Sequence, residues 1–190
     1  MCFKIVVVGT SLGGLSALQK ILGNLPANFP TAIAIVQHRH KESDATLKAL
    51  LQTYTSLPIQ EVEDKDEIIP GRVYLAPPDY HLLVEPGYFA LSIDQPVSYA
   101  RPSIDVLFES AADTYGGRVI GLILTGANQD GKQGLKKIQA RGGITIVQEP
   151  STAESPIMPA AAMADLAVDW ILQLPEISDL LVNLCYSTGN

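Results

Sequence analysis

Short apolar runs alternate with amphipathic stretches of helical length along most of the chain. Runs that are apolar throughout and too short for helices are typical of parallel strands buried on both faces. The alternation predicts an α/β fold with three layers, α/β/α, in which helices cover both faces of a doubly wound, mostly parallel sheet. The predicted strands are Ile5 to Val8, Ala32 to Val36, Val119 to Leu124 and Ile144 to Val147.

Two further patterns complete the predicted architecture. Turn residues separate several short strands between Pro58 and Ile93, which predicts antiparallel hairpins appended to the main sheet. Six other stretches have the length and spacing of amphipathic helices. They are Gly14 to Leu22, Asp44 to Thr53, Ile104 to Tyr115, Lys132 to Ala140, Pro159 to Ala164 and Ile177 to Leu184.

Composition and charge narrow the class of protein. The 190 residues, 47% of them hydrophobic and 17% charged, are typical of one globular domain, residues 1–190. A formal net charge of -7 and the lack of clustered Lys and Arg argue against a nucleic-acid partner. No apolar run approaches the roughly 18 residues that span a bilayer, and there is no secretory leader. We expect a cytoplasmic protein that does not insert into membranes.

Ser11 lies in a glycine-rich turn, Gly9 to Gly14, between the first predicted strand and the first predicted helix. Glycines allow a sharp turn, and the first free amides of the helix point at whatever the serine attacks. The turn therefore favours a nucleophile with adjacent oxyanion donors. The serine could instead cap the helix, or the turn could hold an anion or a nucleotide. Glycines at 9, 13 and 14 do not match the dinucleotide-binding spacing.

His38 and Asp130 also follow the ends of predicted strands. In open α/β sheets the ligand crevice lies at those ends, so Ser11, His38 and Asp130 can converge there. A neutral imidazole can take the proton of a serine hydroxyl, and a carboxylate can fix the tautomer of that imidazole. The chain order Ser, His, Asp differs from that of the α/β-hydrolases, which disfavours membership of that fold.

Each of these residues has an alternative role. His38 and His40 could share a metal ion, although no nearby side chain completes a ligand set. Asp130 could cap the helix that follows it, and Asp105, the rival acid, fits the first turn of its own helix. Arg101 could pair with a carboxylate in the pocket or anchor its loop.

Several segments around the candidates occur in a characteristic order. They are Val8 to Gly14, Gln37-His38, Pro70 to Pro77, Arg101 to Asp105, Leu124 to Gly131 and Met158-Pro159. In this order they resemble the catalytic domain of the bacterial chemotaxis receptor methylesterase, CheB, over nearly the whole chain.

The resemblance implies a serine hydrolase that needs no cofactor. Its substrates would be glutamyl methyl esters in the cytoplasmic region of methylated chemoreceptors, with a related deamidation of glutamine. Matching by motif makes Ser11 the nucleophile, His38 the general base and Asp130 its partner. By the same matching, the residues that form the oxyanion site and the substrate pocket would be Thr10, Leu12, Ala127 and Arg101.

The chain departs from the family pattern in three places. Family members often have Met-Gly where this chain has Ala127-Asn128, and a loop containing Met-Pro-Pro where this chain has Arg39-His40. The chain also starts only ten residues before Ser11, so we expect no receiver domain. It could be a stand-alone esterase, a domain controlled by a separate receiver or regulator protein, or a piece of a longer chain. An esterase for a different acyl substrate, or an anion- or nucleotide-binding module, stays open as an alternative.

Overall fold

Strands and helices alternate along the chain in the structure, a computed structural model that describes residues 2–38 and 46–186. The strands are β1 Ile5–Thr10, β2 Ala32–Gln37, β3 Ile59–Glu61, β4 Val73–Leu75, β5 His81–Glu85, β6 Tyr88–Ser92, β7 Val119–Ile123, β8 Ile144–Gln148 and β9 Trp170–Leu172. The helices are α1 Gly14–Gly23, α2 Thr46–Gln52, α3 Ile104–Tyr115, α4 Lys132–Ala140, α5 Ile157–Met163 and α6 Leu174–Tyr186.

Seven strands form one parallel sheet in the order β3-β4-β2-β1-β7-β8-β9, and β5 and β6 form a separate antiparallel pair. Successive side chains of β1 enter opposite cores. Val6 and Val8 pack with α1, α2 and α6, whereas Ile5 and Val7 pack with α3, α4, α5 and the β5-β6 hairpin. The predicted three-layer α/β/α fold is confirmed, with a core on each face of the sheet.

The predicted hairpins between Pro58 and Ile93 are only partly correct. The β5-β6 pair is a hairpin, but β3 and β4 join the main sheet in parallel, with β4 between β2 and β3. These strands have three residues each, so their apolar runs are too short to separate from the surrounding turns. β9 was not predicted, because the edge strand leaves Trp170 and Ile171 exposed and has no buried run.

Most predicted helices are found with small shifts at their ends. α3 and α4 have the predicted bounds, while α5 and α6 begin at Ile157 and Leu174, before the predicted starts. Asp44 and Ala45, predicted at the start of α2, lie outside the described residues. Among the helices of the described ranges, none is long and apolar enough to cross a membrane.

α3 and α4 approach closely because Gly134 has no side chain. A Cβ atom there would lie 2.4 Å from the Phe108 Cβ and 3.1 Å from the Asp105 carbonyl oxygen. The first of these distances is shorter than real Cβ contacts, and the second involves backbone that cannot move alone. Gly134 therefore allows the helix contact that sets the start of α3 against α4.

Asp105 is buried at the same contact. Its carboxylate accepts a hydrogen bond of 2.7 Å from the Gly134 amide. Burial raises the pKa of Asp105 from 3.8 to about 6; the Gly134 hydrogen bond opposes this rise, and the nearby Asp130 charge adds to it. Folding therefore strengthens proton binding at this carboxyl, which still ionises above about pH 6.

Replacing Gly134 with Ala should lower the free energy of unfolding by about 1 to 3 kcal/mol, the usual range for overpacking. The loss should appear although Ala is a better helix former than Gly. Gln133→Ala, at an exposed position of the same helix, should change stability by less than about 0.5 kcal/mol. Urea unfolding measures both, and a Gly134→Ala variant as stable as wild type would contradict the close contact.

Asp105→Asn should stabilise the protein more at pH 8 than at pH 4. The Asp105 carboxyl binds its proton more tightly in the folded state. Its contribution to the free energy of unfolding of wild type is therefore lost as the pH rises from about 4 to about 6. The amide does not titrate, so the free energy of unfolding of the variant relative to wild type should rise by about 2 to 3 kcal/mol across this window. Urea unfolding at each pH measures it, and a constant difference would show that Asp105 is not buried as described.

Candidate active site

The register of the central strands brings Ser11 and His38 together. In the β1-β2 pair Thr10 is opposite Gln37, so the residues that follow leave the sheet side by side. Backbone hydrogen bonds continue beyond the strands, from the Ser11 amide to the Thr125 carbonyl at 3.0 Å and from the His38 amide to the Thr10 carbonyl at 3.0 Å. The carboxyl ends of β1, β2 and β7 thus form one edge, as the sequence predicts.

The glycine-rich turn leaves Ser11 outside the helix cap. Gly13, with φ of 79°, is the N-cap of α1, and no side chain caps the helix. A Cβ atom at Gly13 would lie 2.6 Å from the Glu154 Cβ, and one at Gly14 would lie 2.8 Å from the Cγ2 of the buried Thr10. The turn therefore needs both glycines, and the Ser11 hydroxyl is not used as a helix cap.

The two ring nitrogens of His38 have different partners. Nε2 lies 2.8 Å from the Asp130 Oδ2, and Nδ1 lies 2.9 Å from the Asn128 Nδ2. An amide nitrogen only donates, so Nδ1 must be the acceptor, and the carboxylate requires a proton on Nε2. Both contacts assign the same neutral tautomer, with the proton on Nε2 and the lone pair on Nδ1.

Asp130 is buried and receives donors from the start of α3. Its Oδ2 accepts from the Ile104 amide at 2.6 Å, and its Oδ1 accepts from the Asp105 amide at 3.0 Å and the Ser103 hydroxyl at 2.9 Å. Burial would raise the pKa of Asp130, but the hydrogen bonds from His38 and the two amides outweigh it and lower the pKa. Asp130 is therefore ionised, and it caps α3 and not the helix that follows it.

Two buried groups hold the Asp130 partners in place. Ser103, the N-cap of α3, also accepts a hydrogen bond from the Val106 amide. His81 accepts from the Ser103 amide at 3.2 Å through Nδ1, and its Nε2 lies 3.1 Å from the Gln95 carbonyl oxygen. His81 therefore supports the turn that presents α3 to Asp130.

Gln37 connects the nucleophile turn to the histidine. Its Nε2 donates to the carbonyl oxygens of Ser11 at 2.9 Å and of His38 at 3.0 Å. Its buried Oε1 has no hydrogen-bond partner among the described residues. The sequence predicts no role for Gln37, although a polar residue at the end of an apolar strand is a signal for one.

The predicted pocket residues lie in different surroundings. Thr10 is buried and donates to the Thr125 carbonyl at 2.8 Å, so its hydroxyl joins β1 to the β7 loop. Leu12 and Ala127 are exposed. Leu12 lines a cleft of about 550 Å³ together with Ser11 and His38.

Arg101 lines a second cleft, of about 510 Å³, which also includes Ser11, His38 and Asn128. Its guanidinium donates to the Asp79 carboxylate at 2.7 and 3.0 Å and to the carbonyls of residues 93 and 94. It therefore pairs with a cleft carboxylate and anchors its loop at the same time, so both predicted alternatives hold.

The described ranges contain no group of three or more His, Cys, Asp or Glu side chains that could hold a metal ion. Arg39 and His40, singled out as a departure and as a candidate metal partner, lie outside these ranges. The described residues provide a hydroxyl, a neutral imidazole whose Nδ1 lone pair accepts from the Asn128 amide, and an ionised carboxylate. This set can carry out nucleophilic acyl transfer without a metal.

Known proteins are similar to this chain in sequence over nearly its whole length. A protein of Leptospira interrogans is 46% identical over 185 residues, which are 97% of this chain and 96% of that protein. The protein-glutamate methylesterase/protein-glutamine glutaminase of Thermotoga maritima is 35% identical over 185 residues, which are 95% of this chain and 54% of that protein.

The structural comparison gives the same family. The crystal structure of the Thermotoga maritima CheB methylesterase catalytic domain matches with a TM-score of 0.93 and 34% identity, over 97% of this chain and 100% of that one. The family model described as CheB methylesterase matches residues 6–181. The chain therefore belongs to the CheB methylesterase family.

Proposed function

We propose that this protein is a serine esterase that hydrolyses glutamyl methyl esters on chemoreceptors, with Ser11, His38 and Asp130 as its catalytic triad. The observation that carries the proposal is the hydrogen bond between the ionised, buried Asp130 and the imidazole of His38, which lines the same cleft as Ser11. Family membership and relatives named protein-glutamate methylesterase/protein-glutamine glutaminase support this choice of substrate.

Acylation begins at the Ser11 hydroxyl. Oγ attacks the ester carbonyl carbon while its proton passes to the lone pair on His38 Nδ1. Asp130 keeps the other ring proton on Nε2 and stabilises the imidazolium that forms. When the tetrahedral intermediate collapses, the bond to the methoxy oxygen breaks, and that oxygen takes the proton from Nδ1 and leaves as methanol.

The oxyanion of the intermediate needs donors beside Ser11. The amides of Leu12 and Ala127 are on exposed residues next to the cleft, and neither donates to a carbonyl in the part of the chain that the structure describes. An amide that follows the nucleophile, together with one from a neighbouring loop, is a usual oxyanion site. We assign the developing negative charge to these two donors.

Water completes the reaction. His38 Nδ1 accepts a proton from a water molecule whose oxygen attacks the acyl-enzyme, and the bond to Ser11 Oγ then breaks with return of that proton to Oγ. The net change is ester plus water giving carboxylic acid plus methanol. With a glutamine side chain the same sequence of steps releases ammonia instead of methanol.

The substrate and regulation follow from the same assignment. The substrate is the cytoplasmic region of a methylated chemoreceptor, so the enzyme works in the cytoplasm. The described residues contain no receiver-type domain, and residues 6–181 belong to the methylesterase family. We also propose that a separate receiver or regulator protein controls the enzyme.

Ser11→Ala should reduce methanol release from methylated chemoreceptor by at least about a thousandfold, because no other group supplies the attacking oxygen. Ser56→Ala, at an exposed position between α2 and β3, should release methanol at the wild-type rate. Circular dichroism should show that both variants are folded.

Other outcomes separate the alternatives. Equal release by wild type and Ser11→Ala would contradict the triad. No release from receptor, together with Ser11-dependent hydrolysis of other esters, would give the enzyme a different acyl substrate. Anion or nucleotide binding that is unaffected by Ser11→Ala, without any esterase activity, would favour a binding module on the glycine-rich turn.

A further inference from the structure

The side-chain amide of Asn128 is hydrogen-bonded to His38 Nδ1, the nitrogen that accepts the Ser11 proton in the proposed reaction. Its Nδ2 lies 2.9 Å from His38 Nδ1, the only ring nitrogen that is left for the Ser11 proton once Nε2 is bound to Asp130. We propose that Asn128 is a positioning residue that holds the His38 Nδ1 lone pair in the resting site, so that Ser11 is activated only when its hydroxyl replaces the Asn128 amide. The inference rests on the proposed function.

The orientation of the Asn128 amide is fixed by a second hydrogen bond. Its Oδ1 accepts from the Asp130 backbone amide at 2.9 Å, the two-residue spacing of an Asx turn. Rotating the amide by 180° would place its oxygen against the Nδ1 lone pair and its NH₂ against the Asp130 N–H. Both contacts would then be repulsive, so the donor faces His38.

The Asn128 amide and the Ser11 hydroxyl compete for one acceptor. A ring nitrogen has one lone pair in the plane of the imidazole, so it accepts one well-aligned hydrogen bond. Within the described ranges no hydrogen bond joins the Ser11 Oγ to His38, while the Asn128 bond is present. The resting site therefore keeps the base occupied and the nucleophile inactive.

The position of Asn128 allows a substrate in the cleft to break the hydrogen bond between Asn128 and His38. Asn128 is half-buried and lines the cleft of about 510 Å³ together with Ser11 and His38. A ligand that fills the cleft reaches the side chain of Asn128 and can offer it another acceptor. The contact between His38 Nε2 and Asp130 does not use Nδ1, so the imidazole keeps its carboxylate partner during the exchange.

The experiment compares Asn128→Ser with wild type in reaction with phenylmethanesulfonyl fluoride, a probe without receptor features. Ser11 Oγ bonds to sulfur, fluoride leaves, and the hydroxyl proton passes to His38 Nδ1. Serine can keep an oxygen acceptor for the Asp130 amide but has no amide donor. Losing one neutral hydrogen bond to Nδ1 should raise the second-order rate constant by about two- to tenfold.

Gln129→Ser is the matched control, because it removes the exposed neighbouring amide in the same loop. Its rate should stay within about twofold of wild type. Asn128→Gly, which also removes the donor, replaces Asn128→Ser if thermal unfolding shows that the serine variant is not folded. Mass spectrometry of the modified peptide identifies Ser11 as the labelled residue.

A second readout does not depend on activity. In ¹⁵N NMR spectra of the resting protein, the unprotonated Nδ1 of His38 should resonate upfield of a free imidazole nitrogen because it accepts a hydrogen bond. Asn128→Ser should move this resonance downfield, while Nε2 stays protonated. A role limited to loop stability would leave this resonance unchanged.

The outcomes distinguish this inference from the proposed function. An Asn128→Ser variant that labels at Ser11 no faster than wild type, or an unchanged Nδ1 resonance, would overturn the inference alone. If Asn128→Ser reacted more slowly than wild type, Asn128 would support the imidazole in its active position. That result would also overturn the inference. Equal labelling of wild type and Ser11→Ala would show that Ser11 is not the nucleophile. That result would contradict the proposed function as well.

Discussion

The buried Asp130 carboxylate is the interaction on which the rest of the site depends. It joins three parts of the chain, because it belongs to the loop after β7, accepts the first amides of α3 and binds His38 from the end of β2. This buried carboxylate remains ionised only because hydrogen-bond donors contact both of its oxygens. The same bonds that keep its charge also set the orientation of the imidazole, so the fold and the base are fixed together.

Asp105 shows how the protein assigns that charge to one of two buried acids. Both carboxyls lie at the start of α3, and each raises the cost of ionising the other. Asp130 receives the imidazole, the Ser103 hydroxyl and two backbone amides, and its pKa falls. Asp105 accepts from the Gly134 amide, and burial dominates its pKa. Below about pH 6 the negative charge therefore lies mainly on the acid that faces His38, which is the one that can stabilise an imidazolium.

Much of this arrangement could be predicted from the sequence because strand ends are visible in it. Ser11, His38 and Asp130 each follow an apolar run, and parallel strands bring such positions to one edge. The roles of Gln37 and Asn128 were not predictable in the same way. They depend on which atom of an amide faces which neighbour, and Asn128 meets His38 across 90 residues. Thr10 illustrates the same limit, since its neighbour in sequence is the nucleophile but its hydroxyl bonds to Thr125.

The strand order β2-β1-β7 determines which nitrogen becomes the base. His38 follows β2, and both residues that bind its ring come from the loop after β7, so the imidazole lies across the end of β1, where Ser11 emerges. With Nε2 turned to the β7 loop by Asp130, Nδ1 is the nitrogen left for the nucleophile. A one-residue slip of β1 against β2 would send the side chains of β1 to the opposite core and would separate Ser11 from His38. The burial that fixes the register of β1 therefore also fixes the geometry of proton transfer.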